Sequence, residues 1–283
     1  MSTFRLIALA GAITLGCKAQ AVEADPASRV VSVGGSVTEI VFALGEDHRL
    51  VARDTTSNHP PAALELPNVG YRGRLSPENI LAVNPDLIIS EEGAGPHEVV
   101  ELLKQAALPM VTIPHGYDVA AVQAKITTVA EALEVPEKGA ALAAEVGKDM
   151  QAAMTEAADV PPRKVLFVLS TQGGRIMAAG TNTAADGIIS LAGGVNVMAD
   201  FEGYKPVTDE AISTSGVEVI LMMDRAGINP GTDEELLAMP ALAATPVADT
   251  RAVVRIDGML LTGFSVRTPE AVRVLAQALR EAG

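Results

Sequence analysis

The sequence predicts an α/β protein built as two Rossmann-like lobes with mainly parallel sheets, joined by one long linker helix. Short β-branched runs alternate with helical segments up to about residue 133 and again from residue 164, and such alternation implies parallel strands covered by helices on both faces. Between the two halves, residues 136–158 form an alanine-rich helical stretch with no strand partner, stopped by Pro161-Pro162. The composition agrees: 283 residues with 48% hydrophobic content suffice for two modest cores, and an aromatic share of 3% with no tryptophan makes those cores aliphatic. The expected division is an export segment at 1–21, a first lobe at 22–135, a linker helix at 136–160 and a second lobe at 161–283.

The elements follow in order. Residues 29–33 (RVVSV) read as a strand, Gly34-Gly35-Ser36 as a turn, and residues 37–44 as a short helix ended by Gly45. Residues 50–53 are a second strand, followed by a turn-rich loop over 55–67 that contains His59-Pro60-Pro61. Strands at 86–90 and 110–113 frame a helix at 96–106, and another helix covers 117–133. In the second half, strands are expected at 164–169, 217–222 and 252–256, with helices at 186–192, 234–238 and 269–281. Ligands of such sheets bind in the loops beyond the strand ends. In the first lobe those loops carry His59, Tyr71, Glu91-Glu92-Gly93 and His115.

The first 21 residues read as an export signal: Arg5, an apolar run from Leu6 to Gly16, then Ala19-Gln20-Ala21 as a small-x-small cleavage site near Ala21. The alternative is a lipoprotein signal, with Thr14-Leu15-Gly16-Cys17 as an imperfect lipobox and a lipid anchor at Cys17. Cleavage at Ala21 leaves no cysteine, which excludes disulfides, thiolate metal sites and cysteine nucleophiles. No later stretch has the length of a membrane span. Removing Arg5 and Lys18 leaves 19 basic side chains against 35 acidic ones, a formal charge of −16, which makes nucleic acid a poor partner.

The stretch richest in chemistry is Val69-Gly70-Tyr71-Arg72-Gly73-Arg74-Leu75-Ser76-Pro77-Glu78. It holds one of only three tyrosines in a glycine-flanked loop between two arginines, then starts a helix. Ser76 suits the N-cap, Pro77 the first helical position, and Glu78 the first turn, where a carboxylate complements the helix dipole. Positive charge beside a phenol favours the phenolate, a hard oxygen ligand suited to ferric iron. The same tyrosine could instead cap a core with its hydroxyl on the backbone.

These residues resemble a known family. Gly34-Gly35-Ser36-Val37-Thr38-Glu39-Ile40, Asp54-Thr55-Thr56-Ser57, Val69-Gly70-Tyr71, Leu75-Ser76-Pro77-Glu78 and Asn84-Pro85-Asp86 in the first half carry the likeness. Gly173-Gly174-Arg175 with Met177-Ala178-Ala179-Gly180, Gly203-Tyr204-Lys205-Pro206 and Gly263-Phe264-Ser265-Val266-Arg267 carry it in the second. The chain is similar to periplasmic haemin-binding receptors of bacterial ABC haem importers, in the helical-backbone (class III) group of substrate-binding proteins. The resemblance covers nearly all of the mature chain.

That resemblance implies capture of ferric haem (haem b) between two lobes in the periplasm, with Tyr71 as axial iron ligand, and delivery to a permease dimer with its ATPase subunits. An arginine usually stands two positions after the tyrosine and supports the phenolate; here that position is Gly73, so the role either moves by one residue, to Arg72 or the favoured Arg74, or is lost. Arg175, Lys205 and Arg267 are candidates for the haem propionates, since cations with several donors bind carboxylates well. Tyr204 is a candidate to stack on the macrocycle, and His59 and His115 lie on the cleft side. All four histidines fall in the first lobe, so none reaches the iron from the second. Glu78 and Glu210 resemble the glutamate pair, one per lobe, that docks on the permease. Membrane contact comes only through that permease or the anchor at Cys17.

Enzymatic readings lack their signatures: there is no phosphate loop of the Gly-x-x-x-x-Gly-Lys-Ser type and no Gly-x-Ser-x-Gly elbow before a helix. The alternatives are a receptor for another iron chelate or a corrinoid, such as a siderophore or cobalamin, and a haem sensor outside transport.

Overall fold

The computed structural model describes residues 26–159, 161–224 and 231–282; the export segment with Cys17 and Ala21 lies outside the described residues. The first lobe comprises β1 (Val30–Val33), α1 (Gly35–Ala43), β2 (Leu50–Arg53), β3 (Gly70–Tyr71), β4 (Arg74–Leu75), α2 (Pro77–Ala82), β5 (Leu87–Glu91), α3 (His97–Gln105), β6 (Met110–Ile113) and α4 (Val119–Ala132). Its sheet runs β2-β1-β5-β6, every neighbouring pair parallel. β1 and β5 are central and buried along their whole length, which is why both read as predominantly apolar runs, with Ser32, Ser90 and Glu91 as buried polar exceptions.

The chain crosses to the second lobe through α5 (Pro136–Ala157). Pro136 occupies the first helical turn, where its missing N–H costs nothing. Small residues on α5 let α4 lie close: a Cβ on Gly139 would stand 2.2 Å from that of Ala130, and one on Gly147 2.3 Å from the Gln123 amide nitrogen. The second lobe follows as β7 (Lys164–Ser170), β8 (Met177–Ala179), α6 (Ala184–Leu191), β9 (Val195–Asn196), β10 (Tyr204–Pro206), α7 (Asp209–Ser215), β11 (Val219–Asp224), α8 (Asp233–Leu237), α9 (Pro240–Ala243), α10 (Val247–Thr250), β12 (Val253–Asp257), α11 (Gly258–Thr262) and α12 (Thr268–Glu281). Its sheet runs β10-β8-β7-β11-β12, with β9 beside the start of β7. β7, β9, β11 and β12 are parallel, whereas β8 is antiparallel to both β7 and β10.

That antiparallel edge departs from the expected pattern. Met177–Ala179 and Tyr204–Pro206 contain no β-branched residue, so neither announces a strand; the pairing comes from the fold around them. Gly180 is drawn so close to Phe201 that a Cβ there would meet the Phe201 carbonyl oxygen at 2.0 Å. The main core is continuous across both lobes, from Val30 and Ile40 through Ile126 and Val146 to Phe167 and Leu275. Smaller clusters cover the outer face of each sheet. On the surface, α12 is tied to α5 by Arg273, which holds Asp149 at 2.6 Å and Glu156 at 3.0 Å.

Candidate functional site

The two lobes meet at a seam between α1 and α4 on one side and residues 258–267 on the other. On the first-lobe side the turn after β1 is locked by buried Asp54, whose carboxylate accepts from the Gly34 N–H at 3.0 Å, the Thr56 N–H at 3.1 Å and the Ser57 hydroxyl at 2.8 Å. Gly34 is needed twice over: its φ is 113°, and a Cβ would sit 2.6 Å from the side chain of Glu91. Across the seam, the carboxylate of Glu39, only 3% exposed, accepts from the Ser265 hydroxyl and is paired with Arg267 at 2.6 Å. Burial works against the Arg267 charge, but Glu39 outweighs it and raises the guanidinium pKa. Arg267, expected on a ligand carboxylate, is therefore already committed to Glu39.

Tyr71 sits on a two-stranded hairpin rather than in a plain loop. β3 and β4 pair antiparallel with Tyr71 directly opposite Arg74, which places their side chains side by side on one face. The turn between them is Arg72-Gly73, and a Cβ on Gly73 would come within 3.1 Å of the Tyr71 ring. Glycine at that position thus makes room for the ring to lie beside the turn. The hairpin is tied at both ends: Thr55 N–H donates to the Gly70 carbonyl at 2.9 Å, Ser76 N–H to Val69 at 2.9 Å, and Leu75 N–H to Gly95 at 2.8 Å. Tyr71 is 54% exposed, a large exposure for a side chain on so well-anchored a piece of backbone.

The two arginines differ. Arg72 turns back onto the first lobe, with Nη1 3.2 Å from Glu91 Oε2 and donating to the Glu92 carbonyl at 3.3 Å. Arg74 is exposed, and among the described residues its side chain makes no ion pair. The cation free to serve the phenol is the one beside it. Ser76 caps α2 by accepting from the Asn79 N–H at 3.2 Å, and Glu78 lies exposed in the first turn, as the sequence implied.

Behind Arg72, the Ser36 hydroxyl donates to Glu91 Oε1, and Lys125 on α4 lies 3.9 Å from that same oxygen. Lys125 is 4% exposed and donates to Ser36 Oγ at 3.1 Å and to the Gly263 carbonyl of the second lobe at 3.3 Å. Burial pulls its pKa down and Glu91 partly restores it. Lys125 does not stand out in the sequence, and only the fold brings it and Ser36 to Glu91.

His115 is exposed, its N–H donating to Glu92 Oε2 at 3.3 Å, and its ring stacks with Tyr117 at 6.3 Å between centroids. Tyr117 in turn sets its ring edgewise to Phe264 of the second lobe at 5.2 Å. Burial, with Glu91 and Glu92 adding and Arg72 opposing, pushes the Tyr117 phenol above its ordinary value, so it stays a neutral packing group. The rarity of tyrosine was the available signal for Tyr117. His59 is half-buried beside Pro60 in the loop after β2.

On the second lobe's rim, Gly173 and Gly174 turn the chain with φ of 68° and 73° and present Arg175, which is exposed and without an ion pair among the described residues. β8 and β10 carry the neighbouring surface: Tyr204 is 40% exposed and tilted against Phe167, and the Lys205 ammonium lies 5.6 Å from the centre of the Phe201 ring. Glu210 is exposed in the first turn of α7, whose N-cap Thr208 accepts from the Ala211 N–H at 3.2 Å.

This arrangement offers an exposed phenol on each lobe, Tyr71 on its hairpin and Tyr204 on β10, with exposed cations beside them. Among the described residues no group of three His, Cys, Asp or Glu side chains converges to hold a bare metal ion. It is suited to an anionic ligand that brings its own metal or conjugated plane.

Comparison with known proteins narrows this further. By structure the chain is similar to the periplasmic haem-binding protein BhuT in complex with two haems, at 41% identity and a TM-score of 0.85 over 90% of this chain and 98% of that one. It is similar to a periplasmic haem-binding protein from Pseudomonas aeruginosa at 33% identity and a TM-score of 0.81, over 90% and 93% of the two chains. By sequence it is 30% identical over 213 residues to a vitamin B12-binding protein of Vibrio cholerae, covering 72% of this chain and 73% of that protein. The family model described as periplasmic binding protein matches residues 30–260. With that span and these likenesses, the chain belongs to the periplasmic binding protein family.

Proposed function

We propose that this periplasmic binding protein captures ferric haem between its lobes, with the Tyr71 phenolate as axial ligand, and delivers it to an ABC importer. The observation that carries the reading is the pairing of an exposed, backbone-fixed Tyr71 with Arg74, whose side chain makes no ion pair among the described residues. Arg74 sets a positive charge on the same face as the ring, and a tyrosine oxygen is a known ligand of haem iron. Arg175 and Lys205 on the opposite rim supply donors for the two propionates, and Tyr204 supplies a flat surface. His115 and His59 stay at the edge of the ligand. Glu78 and Glu210, each in the first turn of a helix and each exposed, dock on the permease, which acts with its ATPase subunits. The likeness to haem-binding structures at 33% and 41% identity supports haem as the ligand.

The second reading is cobalamin, favoured by the Vibrio cholerae relative. A visible absorption titration with ferric haemin and with cyanocobalamin, run beside Tyr71→Ala, separates the two. Saturable haemin binding with phenolate-to-iron charge-transfer bands that vanish in Tyr71→Ala is the expected result. Saturable cobalamin binding with no haemin spectrum would replace haem by the corrinoid.

A further inference from the structure

The side-chain cluster behind the hairpin joins the turn that carries Tyr71 to the seam. Glu91 ends β5, and its two carboxylate oxygens are divided: Oε2 takes Arg72 at 3.2 Å, while Oε1 takes the Ser36 hydroxyl and faces Lys125 at 3.9 Å. Lys125 reaches on to the second lobe through the Gly263 carbonyl at 3.3 Å. At its other end the chain of contacts finishes one residue from Tyr71, at the hairpin turn, where the Arg72 carbonyl also accepts from the Gly95 N–H at 3.0 Å. We propose that Glu91 and Lys125 are positioning residues for Tyr71: a buried carboxylate–ammonium pair at the seam pins Arg72, keeps it off the phenol, and sets the hairpin tip according to where the second lobe stands.

The physical grounds are the low exposure and the division of labour. A carboxylate shared between one half-exposed guanidinium and one buried ammonium is held in a single orientation, because releasing either partner leaves the other's charge poorly solvated. Arg72 held in this way is unavailable as the phenolate's partner, which leaves Arg74 in that role. A shift of Gly263, at the C-terminal end of α11, relative to α4 would be felt at Lys125 first and then at Glu91, Arg72 and the turn. The role of Tyr71 as ligand rests on the proposed function; the pinning of the hairpin does not.

The test uses the full chain and four variants: Glu91→Gln, Lys125→Met, Arg72→Gln, and Arg163→Gln as a control at the remote pair with Glu218. Amide hydrogen exchange of residues 70–75 in the ligand-free protein should rise about tenfold in the first three and stay at the wild-type rate in the control. With ferric haemin, the same three should shift the phenolate-to-iron band and release haemin about tenfold faster, the size of effect typical of groups that orient a metal ligand. If Glu91→Gln and Lys125→Met leave exchange at 70–75 unchanged, the proposal is overturned. It is equally overturned if the hairpin loosens while the iron band and release rate do not move. A wild-type protein with no phenolate band, but with a hairpin that loosens in the variants, would discard the haem reading and keep the pinning. Should Lys125→Met fail to fold, the double variant Glu91→Leu with Lys125→Leu removes both charges together and is read by the same exchange measurement.

Discussion

On the first-lobe side of the seam the carboxylates are saturated: Asp54 takes the turn after β1, Glu39 takes Ser265 and Arg267, and Glu91 takes Ser36 and Arg72. On the second lobe's rim the cations Arg175 and Lys205 are exposed, and Arg175 has no ion pair among the described residues. Under the proposed function, the contrast separates two tasks. A metal ligand must be held within a fraction of an ångström, so its support is buried and fully hydrogen-bonded. Groups that meet the flexible carboxylate arms of a ligand need reach rather than fixity, and loops supply it.

The comparison can be broken by mutation, and the largest effect belongs to the seam. Glu39→Ala leaves the Arg267 guanidinium without its partner and should lower stability by about 3 kcal/mol in urea unfolding; a loss near zero would mean that solvent replaces the carboxylate and that this side is no more rigid than the other. Arg175→Ala and Lys205→Ala should do the reverse: thermal stability within about 0.5 kcal/mol of wild type, with ferric-haemin affinity down about tenfold for each, by titration. A stability loss without an affinity loss would reassign them as structural.

Smaller is the effect at Asp86, which fastens the start of β1 by accepting from the N–H groups of Ser28 at 2.8 Å and Arg29 at 2.9 Å. Burial raises its pKa, but these hydrogen bonds outweigh it and set the net shift downward. Its folded pKa therefore lies below its unfolded one, so its contribution is complete above the ordinary carboxylate value and is lost as pH falls through the folded value. Asp86→Asn should cost about 1 kcal/mol at neutral pH, and the difference from wild type should shrink to nothing in acid unfolding curves. The smallest expected change is in shape: with Glu39 and Lys125 both reaching across the seam, scattering profiles of free and loaded protein should nearly superimpose, and a large compaction would show that the seam opens.

Much of this was legible in the residues. Strand and helix positions followed from β-branched runs, from caps such as Ser76 and from Pro136 and Pro161-Pro162, because these act locally. The Tyr71 stretch stood out by scarcity. The hairpin did not, because two-residue strands carry no periodicity and this pair is defined by its ties to Thr55, Ser76 and Gly95. The antiparallel strands β8 and β10 were hidden for the same reason, although their segments had been singled out by family likeness. Lys125 is the clearest case of illegibility: within α4 it reads as one more solvated lysine, and only the approach of Glu91, Ser36 and Gly263 makes it a buried ion.

The interior that runs unbroken from Ile40 to Leu275 bears on how such a chain can be divided. A gene cut at Pro161-Pro162 would yield an amino-terminal piece whose α5 exposes the apolar side normally covered by α12, and a carboxy-terminal piece lacking the helix it was built against. Neither fragment owns its own centre. The pieces should precipitate when made apart and recover native structure only when produced together, and the intact chain should melt in one cooperative transition rather than two.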